Sequence, residues 1–101
     1  MSRNELVLSG VIATRDLLRY TPAGIPLLSF VLQHESEQQE AGQAFKAQLD
    51  ITVSVLGEAA VQLDRHGPGT RIMLKGFLAR KSRNSRQLVM RAEQFKLIDG
   101  E

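Results

Sequence analysis

No cysteine occurs in the 101 residues, which excludes disulfides, thiolate metal sites and a cysteine nucleophile. Tryptophan is absent as well. The aromatic set is limited to Tyr20, Phe30, Phe45, Phe77 and Phe95, so platforms for stacking are scarce. No apolar run approaches the roughly 20 residues that a membrane-spanning helix needs. The opening Met1-Ser-Arg-Asn-Glu5 lacks signal-peptide organisation, and a cytoplasmic protein with no membrane partner is expected. Catalytic constellations are equally thin. His34 and His66 lie far apart, neither has an acidic partner at a spacing such as HExxH, and the glycines form neither GxxxxGK[ST] nor GxGxxG. No metal, no cofactor and no enzymatic activity are expected.

Acid is missing where base is plentiful. Residues 65–92 contain no Asp or Glu, yet hold Arg65, Arg71, Lys75, Arg80, Lys81, Arg83, Arg86 and Arg91. The formal net charge of +2 conceals this, because residues 1–64 carry four basic and eight acidic side chains and residues 65–101 nine and three. Such one-sided charge is the footprint of a polyanionic partner. Hairpin tips are also made cationic for solubility alone, but a stretch this long without one acid favours binding. The hairpin 80–91 is therefore the first candidate for phosphate contact.

The length allows one domain, residues 1–101, with one modest core. Residues 5–14 read as a strand with a bend or bulge at Gly10. A structured turn over Thr21-Pro-Ala-Gly-Ile-Pro26 leads to a strand at 27–34. The polar stretch 35–44, with Glu35, Glu37 and Glu40, reads as a solvated connecting loop. Residues 45–55 alternate cleanly: Phe45, Ala47, Leu49, Ile51, Val53 and Val55 form a buried face, Lys46, Gln48, Asp50, Thr52 and Ser54 a wet one. Leu56, Ala60 and Leu63 have helical spacing within 56–64, and His66-Gly-Pro-Gly69 stops that segment. Strands follow at 70–80, with Gly76 inside, and near 87–98. Five short strands and a minimal helix between the third and fourth define an all-β fold, matching the five-stranded OB barrel. Another small barrel, for instance SH3-like, fits the pattern too.

Single-strand binders combine basic grooves with aromatic platforms. By parity Phe30 and Phe45 fall with the core, leaving Tyr20, beside Arg19, and Phe77, in step with Lys75 and Arg71, as stacking candidates. Lys46 and Gln48 on the wet face join them. In residues 6–13 both parities are apolar, with Val7, Val11 and Ala13 opposite Leu6, Leu8 and Ile12. A strand buried on both faces in so small a chain predicts a two-fold homodimer through this strand.

Leu6-Val-Leu-Ser-Gly10, Pro22-Ala-Gly-Ile-Pro26, Phe30-Val-Leu-Gln-His34, Glu40-Ala-Gly42, Gly76-Phe77, Ala92-Glu-Gln94 and Leu97-Ile-Asp99 occur in this order and spacing. On these stretches the chain resembles the bacterial primosomal replication protein N family, PriB, over essentially its full length. The resemblance implies a homodimer of OB folds without enzymatic activity. It implies binding to single-stranded DNA at stalled forks, stabilisation and stimulation of the PriA helicase, and transfer of the site to DnaT, in the bacterial cytoplasm and nucleoid. It places Arg19 at a basic position of the first loop. It places Lys81, with Arg83 and Arg86, in the DNA-contacting loop between the last two strands, and Arg91 where a histidine is common. Gln48 stands where the family has an exposed tryptophan, and Glu35 replaces a basic residue, so affinity is expected to lean on charge. A second reading makes the basic loop a dock for an acidic protein surface, with DNA binding incidental. A genome-coating protein is disfavoured, since the sequence stops at Glu101 without a long acid-tipped tail.

Overall fold

The computed structural model describes residues 1–98. The end of the last resemblance stretch, Asp99, lies outside the described residues with Gly100 and Glu101. Among the described residues, six strands and one helix follow in order: β1 Leu6–Arg15, β2 Arg19–Tyr20, β3 Pro26–Glu40, β4 Gln43–Leu56, α1 Glu58–Leu63, β5 Arg71–Arg80 and β6 Leu88–Leu97. The sheet order is β1-β5-β6-β4-β3-β2, and an added β1–β3 pairing closes it. Five long strands thus form a closed barrel, with β4 and β6 parallel and the other pairs antiparallel. This is the OB plan expected from the pattern, and the SH3-like alternative falls away.

Closure depends on β1 serving two neighbours. Leu6 to Val11 pair with β5, and Val11 to Arg15 pair with β3. The change of partner coincides with a bulge between Ile12 and Thr14. At the crossing Gly10 lets the backbones meet: a Cβ there would overlap the Gln33 carbonyl oxygen and lie 3.1 Å from Leu32 Cγ. Ile12, Leu28, Phe30, Leu32, Val53, Val55, Ile72, Leu74 and Met90 fill the barrel, and Ala60 and Leu63 of α1 are fully buried beneath it. The helix is shorter than the 56–64 segment expected: Leu56 ends β4 and is exposed, while Ala60 and Leu63 are buried and Ala59 packs against the core from its edge.

Arg15 fastens that helix. Its Nη1 donates to the carbonyls of Asp64 and His66, each at 2.9 Å, and its Nη2 pairs with the Asp64 carboxylate. The carbonyl of the C-cap residue Asp64, which lacks a partner within the helix, is thereby satisfied by a cation, and the His66 carbonyl just beyond it is held as well.

The stretch 35–44 corrects the loop reading. Residues 34–40 and 43–49 continue β3 and β4 as a two-stranded ribbon beyond the barrel, paired from His34↔Leu49 to Glu40↔Gln43. Only Ala41 and Gly42 turn, with φ of 51° and 81°. Positive φ at both central residues is the two-residue hairpin geometry whose twist matches its strands. Polar residues on both parities hid the strand, because neither ribbon face is buried. For the same reason Phe45 and Leu49, expected inside by parity, are 53% and 41% exposed. Their parity is core-facing, but no barrel lies beneath them. The ribbon stretches the molecule to 49 Å and raises the radius of gyration to 14.5 Å, above the roughly 13 Å of a compact chain this long.

Candidate nucleic-acid interface

The outer face of β5 presents Arg71, Met73, Lys75 and Phe77, alternating with core-facing Ile72, Leu74 and Gly76. Across the ladder Met73 faces Lys96, Lys75 faces Gln94 and Phe77 faces Arg91. Phe77 is half-buried outside the core, beside Arg91, and Arg91 in turn neighbours Ser54 on β4. Gly76 permits the ladder to slip past the extra residue in β6: a Cβ would overlap the Arg91 carbonyl oxygen and approach Ala92 Cα to 2.8 Å.

Along the same two strands the cationic strip reaches the tip. The Lys81 amide donates to the Gln87 carbonyl at 2.9 Å and the Ser85 amide to the Ser82 carbonyl at 3.1 Å. The Gln87 amide donates to Ser85 Oγ at 3.0 Å. Backbone bonds thus shape the tip while Arg80, Lys81, Arg83 and Arg86 all point to solvent. Among the described residues, none of the eight cations in 65–92 takes part in an ion pair.

The ribbon is different. Its outer face carries Glu35 and Glu37 on β3 opposite Gln48 and Lys46 on β4. Lys46 Nζ lies 3.1 Å from Glu35, whose other oxygen accepts from Gln48 Nε2 at 3.4 Å. The hydrogen bond from Lys46, then that from Gln48, then the Lys46 charge hold the Glu35 carboxyl below the usual carboxylate range. Lys46 and Gln48, named from sequence as ligand contacts, therefore already serve an acid, though an exposed pair of this kind is weak and screened by salt. Sequence reading missed this partnership because it assigned Glu35 to a loop.

Arg19 and Tyr20 form β2, exposed, and pair with Leu27 and Pro26. From Leu27↔Leu56 to Glu35↔Gln48 the ladder advances eight pairs, or about 26 Å of strand. Lys46 and Gln48 thus lie far along the sheet from Arg19 and Tyr20. The parallel pairing of β4 with β6, Val53↔Met90, instead brings the start of β6 and its basic tip alongside the root of the ribbon.

His34 sits within β3, not at a strand end, and is half-buried. Its Nδ1 is 2.7 Å from the Ser9 carbonyl and its Nε2 2.8 Å from Ser36 Oγ, to which Gln38 Nε2 also donates at 2.9 Å. With the proton on Nδ1, the ring donates to Ser9 and accepts from Ser36. The imidazole thus ties the ribbon root to β1, and among the described residues it has no acidic hydrogen-bond partner. Among the described residues no group of three or more His, Cys, Asp or Glu is placed to hold a metal ion, and no helix is long and apolar enough to cross a membrane.

Of the residues expected from sequence at a dimer contact, Val7 is 58% exposed, Val11 is half-buried, and Ala13 is the half-buried bulge residue between Ile12 and Thr14. Leu6 to Gly10 pair with β5 only. The Ser9 carbonyl, turned toward His34, shows which way the odd-numbered backbone groups point, so Val7 offers its amide and carbonyl on an unpaired edge.

A closed five-stranded barrel with a cationic β5–β6 hairpin and a projecting β3–β4 ribbon defines an OB-fold protein. The family described as another single-strand binding protein family matches residues 4–94. The replication restart protein PriB of Neisseria meningitidis serogroup B is 40% identical over 101 residues, covering 99% of this chain and 100% of that one. The structure of PriB from Ralstonia solanacearum superimposes with a TM-score of 0.85 at 33% identity, over 96% of this chain and 100% of that chain. The wild-type single-stranded DNA binding protein of Thermus aquaticus gives 0.77 at 26% identity, over 97% of this chain and 51% of that one. The chain belongs to the replication restart protein PriB family.

Proposed function

We propose that this protein binds single-stranded DNA as an accessory factor of replication restart in the bacterial cytoplasm and nucleoid. There it stabilises and stimulates the PriA helicase and helps pass the site to DnaT. One observation carries the reading: the eight cations of 65–92 form no ion pair among the described residues, and seven of them lie on β5, β6 and the tip between. Arg80, Lys81, Arg83 and Arg86 displace counterions at the tip, Lys75 and Arg91 continue the track, and Phe77 offers a ring beside it. Arg19 and Tyr20 engage a more distant part of a longer strand. Lys46 and Gln48 contribute once phosphate competes with Glu35. The reading requires binding, with no catalytic step. Anisotropy titration of a labelled oligo-dT tests it, repeated with duplex and across salt; no preference for the single strand sinks it.

Glu35 works against that binding. Replacing Glu35 by Gln removes an acid and releases Lys46, so affinity for oligo-dT rises and the log–log salt slope steepens by about 0.7, one added phosphate contact. In the unaltered protein affinity also rises with acidity, but only as pH falls below the ordinary carboxylate range, because Lys46 and Gln48 hold Glu35 ionised until then. Unchanged affinity in the Gln variant would show that the ribbon lies off the track.

Two copies are proposed to pair through the free edge of β1, bringing Val7 beside its symmetry mate with Val11 and Ala13 nearby. Equilibrium sedimentation at micromolar concentration is expected to give a dimer mass. A monomer refutes the pairing.

A further inference from the structure

On the outer face of β5 and β6, away from the basic tip, lies a shallow cleft of about 380 Å³. Val7 and Met73 supply its exposed apolar lining, Lys75, Lys96 and Gln94 its polar one, and the core-facing Leu74 and Phe95 form its floor. Val7 is 58% and Met73 38% exposed, uncovered aliphatic surface on a sheet face. Among the described residues, none that lines it is acidic. Glu5, two residues from Val7 on the same strand parity, pairs with Arg3 at 3.6 Å. Because Lys75 faces Gln94 and Met73 faces Lys96, the two lysines are diagonal neighbours, about 7–8 Å apart at their bases.

We propose that this cleft docks a short acidic peptide of a partner protein, one apolar side chain entering between Val7 and Met73 and flanking carboxylates meeting Lys75 and Lys96. Charge complementarity selects the occupant. A second copy stacking face to face would bring Lys75 and Lys96 against their own mates, whereas edge pairing through β1 engages the Val7 backbone and leaves its side chain on this face. Nucleic acid fits less well. Base stacking needs an exposed ring, and Phe95, opposite Leu74, has core-facing parity. An aliphatic opening rimmed by ammonium groups suits a leucine set among aspartates and glutamates. Carboxylates on an extended peptide recur on one side every second residue, about 6.8 Å apart, close to the lysine spacing. Lys75 is shared with the proposed DNA track, whereas Lys96 and Met73 are not.

The test uses fluorescein-labelled Asp-Glu-Asp-Leu-Leu-Asp-Glu, the same peptide with Ser for both Leu, and oligo-dT, each titrated by anisotropy. The Leu peptide is expected to bind the full chain. Lys96→Glu and, separately, Met73→Ser are each expected to weaken it about tenfold, with oligo-dT affinity changed less than about twofold. Thermal melts of both exposed-site variants check that the fold is intact. Equal binding of the Ser peptide, no loss of peptide affinity in either folded variant, or a loss of oligo-dT affinity in Lys96→Glu as large as the peptide loss would overturn the proposal. The last result assigns the cleft to nucleic acid.

Discussion

Replacing Arg80, Lys81, Arg83 and Arg86 together by alanine is expected to flatten the salt dependence of oligo-dT binding by roughly two or more log–log units. Each phosphate neutralised on a single strand contributes about 0.7, so four lost contacts set the upper end near three units. Affinity at low salt falls with it, by at least about a hundredfold. The backbone supports this test. The tip is held by the Lys81 and Ser85 amides and by Ser85 Oγ, none of which the substitutions remove, and all four side chains are exposed. Anisotropy titrations over a series of salt concentrations read the slope directly. A slope equal to that of the unaltered protein would take the tip out of the interface.

The second large effect is on stability. Changing Gly76 to alanine drives a methyl group into the Arg91 carbonyl and against Ala92 Cα. These obstacles are backbone, so no rotamer change relieves them, and the register slip between Lys75 and Gly76 has to rearrange. A loss of about 3 kcal/mol is expected, lowering Tm by roughly 12 °C or more for a domain of this size. Gly67→Ala is the control, since its added methyl meets nothing within 4 Å, and it should stay within about 0.5 kcal/mol of the parent. Circular dichroism melts of both decide it. Equal Tm values would mean that β6 yields easily at its bulge.

Both predictions involve residues whose importance was visible in sequence to different degrees. The tip could be read because charge needs no fold to be counted: an acid-free run of arginines is cationic in any conformation. Gly76 was legible as an interruption in an apolar strand, but the contact that demands it belongs to a residue fifteen positions away. The barrel strands announced themselves where one face is buried, as in Ile51, Val53 and Val55. The ribbon did not, because both its faces are wet and period-two contrast needs one dry side. That omission moved Phe45 to the wrong environment and left Lys46 without its acid. Arg15, which says nothing in the linear pattern, acquires its role only when α1 brings the carbonyls of Asp64 and His66 to it.

The ribbon has a mechanical consequence. Its six pairs beyond the root span roughly 20 Å, stiffened by a tight two-residue turn and anchored near His34. Such an arm, if displaced, would move as one piece. Hinging of a few degrees where it leaves β1 displaces its end by ångströms, with every rung of the ladder kept. A ligand that gained purchase on the distal end would therefore exert leverage on the Ser9–His34 joint, and so on the strand edge proposed to receive the other subunit.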